Sequence, residues 1–305
     1  MIVSSITQLI GRTPIVDVSD RFEDLYGRLF VKVESFNPGG SVKDRIALGM
    51  VEDALKDGRI NKQTHIVEPT SGNTGVGLAM VCAALGLKLT LVMPDTMTVE
   101  RRMLIGAFGA HLVLTPGAQG MKGSIAKALE IKESEENVFM PMQFDNPSNP
   151  AVHRRTTALE ILEDLPEIDV FVSGVGTGGT LSGTASIIKK HRDVEIVAVE
   201  PEKSPMISQG TAGPHKIYGI GAGFIPNNLD TELIDTVVTI SDEDAYMTTR
   251  VLARQTGILA GVSSGGAFYV GLQMAKDPKY QGKNILVILP DTGERYLSSG
   301  VFAVE

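Results

Sequence analysis

Lys43 sits in the run Asn37-Pro-Gly-Gly-Ser-Val-Lys43-Asp-Arg45, at the start of a helical pattern expected over 42–57. A cation at a helix start opposes the helix dipole, so the position is a poor structural choice for lysine. The same positive field, with desolvation, favours the neutral amine that condenses with a carbonyl. By itself, Lys43 also fits an ordinary surface lysine.

Four glycine-bearing loops carry further chemistry. Glu68-Pro-Thr-Ser-Gly-Asn-Thr-Gly75 follows a strand pattern and opens a helical one. Free N–H groups and the positive dipole end suit a carboxylate or phosphate there. An N-cap and turn would explain one or two of its polar residues, but three hydroxyls and an asparagine exceed what a cap requires. The second loop, Gly174-Val-Gly-Thr-Gly-Gly-Thr180, fits the dinucleotide pattern G-x-G-x-x-G, and Glu200 ends the next strand pattern as a ribose-binding acid would. The loop could equally hold one phosphate monoester through backbone N–H groups and the Thr177 and Thr180 hydroxyls, since it contains no lysine or arginine.

Gly261-Val-Ser-Ser-Gly265 matches the G-x-S-x-G nucleophile elbow. The five histidines, at 65, 111, 153, 191 and 215, all precede Ser263, so the usual Ser–Asp–His order is impossible and that reading fails. Gly219-Ile-Gly-Ala-Gly-Phe224 would let a ligand approach the backbone or would serve as a flexible connection. No histidine pair has the i, i+4 spacing of a helical metal site, and Cys82 lies in an apolar run, where it reads as a small core residue.

The elements that must place these groups alternate regularly. Strand patterns occur at 29–33, 65–67, 88–93, 111–114, 170–173, 195–199, 237–240 and 284–289. Helical patterns lie at 42–57, 75–85, 99–108, 122–132, 155–162, 181–191, 243–255 and 267–276. Nearly continuous apolar strands separated by helices indicate α/β architecture with parallel sheets covered on both faces. The polar passage Asp145-Asn-Pro-Ser-Asn-Pro150 is the best internal boundary.

The chain has 305 residues, of which 43% are hydrophobic and 21% charged, enough for a large core or two. Twenty-eight basic against 36 acidic residues give a net charge of −8, which argues against nucleic acid or an anionic membrane as partner. One cysteine excludes an intramolecular disulfide framework. Neither an export signal nor a membrane-spanning run is recognisable, so a cytoplasmic location is expected.

Taken together, these motifs resemble the fold-type-II pyridoxal-phosphate enzymes of the cysteine synthase/cystathionine β-synthase family. The matching segments include Leu9–Pro14, Ser41–Lys43, the loop at 68–75, Met93–Met97, Glu100–Arg102, Gly120–Gly123, Gln143-Phe144, the loop at 174–180, 219–226, 261–265 and Gly293–Ser298. The resemblance implies two three-layer αβα domains, a smaller mobile one at 41–147 and a larger one at 1–40 and 148–305, with the cofactor in the cleft between them. It implies pyridoxal 5'-phosphate bound covalently to Lys43, which would also move the substrate α-proton. Gly176, Thr177, Gly178, Gly179 and Thr180 would hold the phosphate, Asn73 the ring hydroxyl and Ser264 the ring nitrogen. Thr70, Ser71, Gly72, Thr74 and Gln143 would bind the substrate carboxylate.

The implied reaction is replacement of the acetate of O-acetyl-L-serine by sulfide, through an aminoacrylate, to give L-cysteine. Gly39-Gly40 and Asp44 resemble a second cysteine synthase isozyme and cystathionine β-synthase as much as the first isozyme, whereas 213–216, 219–226 and 290–296 look more like the first. Cystathionine β-synthase, serine sulfhydrylase or cysteine desulfhydrase activity is the alternative, and an NAD-dependent oxidoreductase resting on the loop at 174–180 a remoter one. The family also implies a homodimer and capture of the C-terminal tail of serine acetyltransferase.

Overall fold

The computed structural model describes residues 2–303 and divides into two compact units. In chain order the strands are β1 (Ile15–Asp17), β2 (Arg28–Val33), β3 (His65–Pro69), β4 (Lys88–Pro94), β5 (His111–Thr115), β6 (Val138–Phe139), β7 (Val170–Gly174), β8 (Glu195–Pro201), β9 (Thr236–Ile240) and β10 (Asn284–Leu289). The helices are α1 (Lys43–Lys56), α2 (Asn73–Leu85), α3 (Val99–Ala107), α4 (Gly120–Ser134), α5 (Ser148–Arg155), α6 (Thr157–Asp164), α7 (Gly179–His191), α8 (Met206–Gln209), α9 (Asp242–Thr256) and α10 (Val262–Ala275).

One unit comprises Lys43–Ser148 and the amino-terminal residues through Ile10. Its sheet has the order β5-β4-β3-β6 and is wholly parallel. Alternate residues of these strands point to opposite faces, so each face gathers its own core. Ile66, Leu89, Leu91 and Met93 pack with α1, α2 and α3, whereas Val67 and Val92 pack with Ala128 of α4. Helix α2 is apolar on nearly every side because it is enclosed, Cys82 included. At Gly77 an added Cβ would lie 3.1 Å from both the Lys43 carbonyl oxygen and the Ala47 Cβ. Glycine there lets α2 cross close to the first turn of α1, where Lys43 stands.

The other unit comprises Gly11–Val42 and Asn149 onwards. Its six-stranded sheet has the order β1-β2-β10-β7-β8-β9, parallel except for the antiparallel β1–β2 pair. Leu29, Val31, Val172, Val197 and Val287 meet Phe268 of α10 and Leu252 of α9 on one face. Phe171, Ile196, Leu286 and Ile288 meet α6 and α7 on the other. The α/β class with parallel strands is thus as the sequence indicates.

Differences from the sequence reading have local causes. Strands β1 and β6 have three and two residues, too few to show a period. The Asn- and Pro-rich passage at 145–150 runs into α5, because Pro150 falls in its first turn, where a missing N–H costs nothing. Helix α10 begins at Val262 rather than 267, so the run Val262-Ser-Ser-Gly-Gly266 is helical despite its loop-like composition. Gly265 is required by packing: a Cβ would overlap the Ala245 carbonyl oxygen and Thr249 of α9.

Gly265→Ala should therefore lower stability by about 1–3 kcal/mol despite alanine's better helix propensity. A midpoint in urea equal to or above that of the unsubstituted protein would contradict this account of the α9–α10 contact.

Candidate active site

Most of the sequence-derived residues stand beyond the carboxyl ends of parallel strands, where α1, α2 and α7 begin, whereas Ser264 lies in α10, which follows α9. The carboxyl ends form the edge at which open α/β sheets bind ligands. Three long helices there start from glycine: α2 from Gly72, α7 from Gly178 and α10 from Gly261, none with a side-chain capping hydrogen bond. By contrast, Thr98 caps α3 and Ser241 caps α9 through their hydroxyls. The hydroxyls before α2 are therefore not its cap, and its leading N–H groups point toward a site suited to an anion.

In the first unit, Lys43 is the first residue of α1, and Asn73 and Thr74 are the first two of α2. Thr70 and Thr74 are buried, and Ser71, Gly72 and Asn73 are partly exposed. The Thr74 hydroxyl donates to Gln143 Oε1 at 2.6 Å, so the structure joins two residues far apart in sequence. Arg101 of α3 donates to the Ser71 carbonyl oxygen at 2.7 Å and fixes the loop from outside. Glu68, at the end of β3, accepts from the backbone N–H of Met142 at 2.9 Å and of Gln143 at 3.1 Å. Burial pushes its carboxyl up to about 7; the two amide bonds oppose that rise and Asp145 adds to it.

In the second unit, the loop at 174–180 links β7 to α7. An added Cβ at Gly176 would strike the Gly219 carbonyl oxygen, and one at Gly178, with φ +82°, would lie within 2.8 Å of the Leu229 backbone. The Gly221 N–H donates to the Val175 carbonyl at 3.0 Å, so the fourth glycine loop lies against the second. Gly219, Gly221 and Gly223 all have positive φ, which explains the alternate glycines. Asn149 Nδ2 donates to the Thr177 hydroxyl at 2.9 Å, and His153 Nε2 lies 3.2 Å from the Thr180 hydroxyl. These two partners, one turn apart on α5, were invisible in the sequence because nothing local links them to the loop.

Ser264 lies in the first turn of α10, fully buried, and its Oγ has no hydrogen-bond partner. A buried hydroxyl left unpaired costs about 1–3 kcal/mol, which points to a ligand acceptor or donor. Glu200, the acid required by the dinucleotide reading, is occupied otherwise. Its two oxygens accept from the backbone N–H groups of Ile207 and Ser208 and from the Ser208 hydroxyl, at the start of α8. Burial pushes the Cys82 thiol up to about 12. Among the described residues no helix is long and apolar enough to cross a membrane.

A family model described as "Pyridoxal-phosphate dependent enzyme" matches residues 6–291. A cysteine synthase of Staphylococcus aureus is 51% identical over 306 residues, covering 99% of this chain and 98% of that one. The crystal structure of a cysteine synthase from Entamoeba histolytica superposes with a TM-score of 0.96 at 43% identity, covering 100% of this chain and 92% of the other. That of a hydrogen sulfide-producing enzyme from Fusobacterium nucleatum gives 0.94 at 45%, covering 97% and 99%.

Two measurements check the electrostatics. Because Glu68 titrates near 7 in the folded chain and near 4.5 when unfolded, burial favours its neutral form. Relative to Glu68→Gln, the native side chain should contribute full stability below about pH 4.5 and lose it as pH rises through 7. Denaturant midpoints of both proteins at several pH values read this directly; a constant difference would refute it. Cys82 should resist a thiol reagent at pH 8 and react fully once denatured, since only the thiolate attacks.

Proposed function

Because this chain belongs to the pyridoxal-phosphate dependent enzyme family, we propose that it is a cysteine synthase, replacing the acetate of O-acetyl-L-serine with sulfide to give L-cysteine. Pyridoxal 5'-phosphate, when bound, supplies an electron sink next to the substrate α-carbon. The residues present fit it. Lys43 offers the amine for its aldehyde. Gly176, Thr177, Gly178, Gly179 and Thr180 offer backbone and hydroxyl donors for its phosphate at an uncapped helix start. Asn73 would meet the ring hydroxyl, and the unpaired Ser264 Oγ the ring nitrogen.

Thr70, Ser71, Gly72, Thr74 and Gln143 would bind the substrate carboxylate. Thr74 donates to Gln143 Oε1, which orients that amide so that its NH2 end is the donor. Lys43 Nζ would take the substrate α-proton and return one after the exchange. The observation that carries the reaction type is the buried, unpaired hydroxyl of Ser264. A neutral hydroxyl does not hold the ring nitrogen protonated as a carboxylate would, so the sink is weak. Loss of a β-leaving group, which itself removes the electrons, is then favoured over transamination.

Sulfide release from cysteine would be a β-elimination of the same kind with sulfide as the leaving group, and the relative named as hydrogen sulfide-producing supports keeping that second reading. The same proposal includes a cytoplasmic homodimer, a smaller domain at 41–147 against a larger one at 1–40 and 148–305, and capture of the serine acetyltransferase tail.

The purified protein should show a visible imine band that borohydride abolishes, with the reduced tag on the peptide containing Lys43. Lys43→Ala should lose the band and about 10³-fold or more of the turnover of O-acetylserine with sulfide. A tag elsewhere, or faster turnover of serine with homocysteine, would overturn the assignment.

A further inference from the structure

We propose that Glu68 is a positioning residue for the amino-acid substrate, its carboxylate clamping the two successive amides that carry Gln143 and so aiming the Gln143 side chain. This rests on the reading that Thr74 and Gln143 receive the substrate carboxylate. Glu68 is 2% exposed at the end of β3, 74 residues in sequence from Met142. Its Oε2 takes the Met142 N–H and its Oε1 the Gln143 N–H, one oxygen for each amide. Two adjacent amides can face one carboxylate only where the chain turns. Met142, a residue with a side chain, stands at φ +55° to make that turn. Such a conformation costs on the order of 1 kcal/mol and persists where surrounding contacts impose it.

From Gln143 the connection continues to Thr74, whose hydroxyl meets Oε1 at 2.6 Å. The end of β3, the turn at 142–143 and the first turn of α2 are thereby fixed as one polar chain. A turn needing structure alone would be satisfied at lower cost by a neutral acceptor, because burying a carboxylate carries a desolvation penalty. The penalty is visible in the upward displacement of the Glu68 carboxyl, a pattern that accompanies functional sites. Each oxygen of the Glu68 carboxyl faces one backbone N–H; glutamine presents one oxygen and sets its NH2 against the other amide.

The test compares the holoenzyme with Glu68→Gln, measuring KM and kcat for O-acetylserine and the affinity for L-serine from the change in the cofactor absorption band. Hydrogen exchange at 141–145 is followed in parallel. We expect KM and the L-serine dissociation constant to rise about tenfold, the value of one misplaced hydrogen bond, with kcat changed less than about threefold. Exchange at the Met142 and Gln143 amides should quicken, while the cofactor band and its attachment to Lys43 stay as before. The L-serine titration reads the clamp even if O-acetylserine proves not to be turned over, so the two readings fail separately. Should the glutamine variant misfold, Glu68→Asp, charged but one methylene short, should raise the same two constants. Unchanged constants in a folded variant overturn the proposal, as does a fall confined to kcat. Loss of the folded state in both variants would assign Glu68 to stability alone and equally overturn it.

Discussion

Parallel strands force every helix that follows one to begin at the same edge of its sheet, and each beginning leaves backbone N–H groups without an internal partner. Here helix starts at that edge are built in two ways. Helices α2, α7 and α10 start from glycines with no capping side chain, whereas α3 and α9 are sealed by Thr98 and Ser241. The difference is chemical. A capped start is satisfied; a glycine start leaves room for an anion or dipole to approach its N–H groups, and in a pyridoxal-phosphate enzyme phosphate and carboxylate are the anions to be held.

Glycine does a second job in the same elements. It removes the side-chain volume that would separate one piece of backbone from another: Gly77 against Lys43, Gly176 against Gly219, Gly265 against α9. Each close approach fixes a residue beside it, Lys43 in the first case and Ser264 in the last. The fold therefore sets these two residues by close approach of main chains, which has fewer rotatable bonds than contact between side chains and holds position more tightly.

Polar groups are then placed in layers. Arg101 holds the Ser71 carbonyl, Asn149 the Thr177 hydroxyl, and Glu68 the amides of Met142 and Gln143. A buried carboxylate displaced toward neutrality and a residue with a side chain at positive φ lie within one hydrogen bond of each other. Stability alone favours neither feature, and their coincidence beside Gln143 marks where the fold trades stability for orientation.

The sequence by itself determined the alternation of strands and helices, because apolar runs and amphipathic periods are local and the core is large enough to reward them. It also exposed the glycine loops, the lysine at a helix start and the excess of hydroxyls before α2, since each violates what a purely structural segment would contain. It could not separate a phosphate loop from a dinucleotide loop. Only the fold shows that Glu200, the acid a dinucleotide loop would use, is occupied at the start of α8. Nor could it show that 262–266 is helical, that Ser264 is buried without a partner, or that Glu68 reaches across 74 residues to Met142. Those facts arise from packing between segments distant in the chain, and local residue preferences carry no information about which distant backbone will supply or withhold a hydrogen bond.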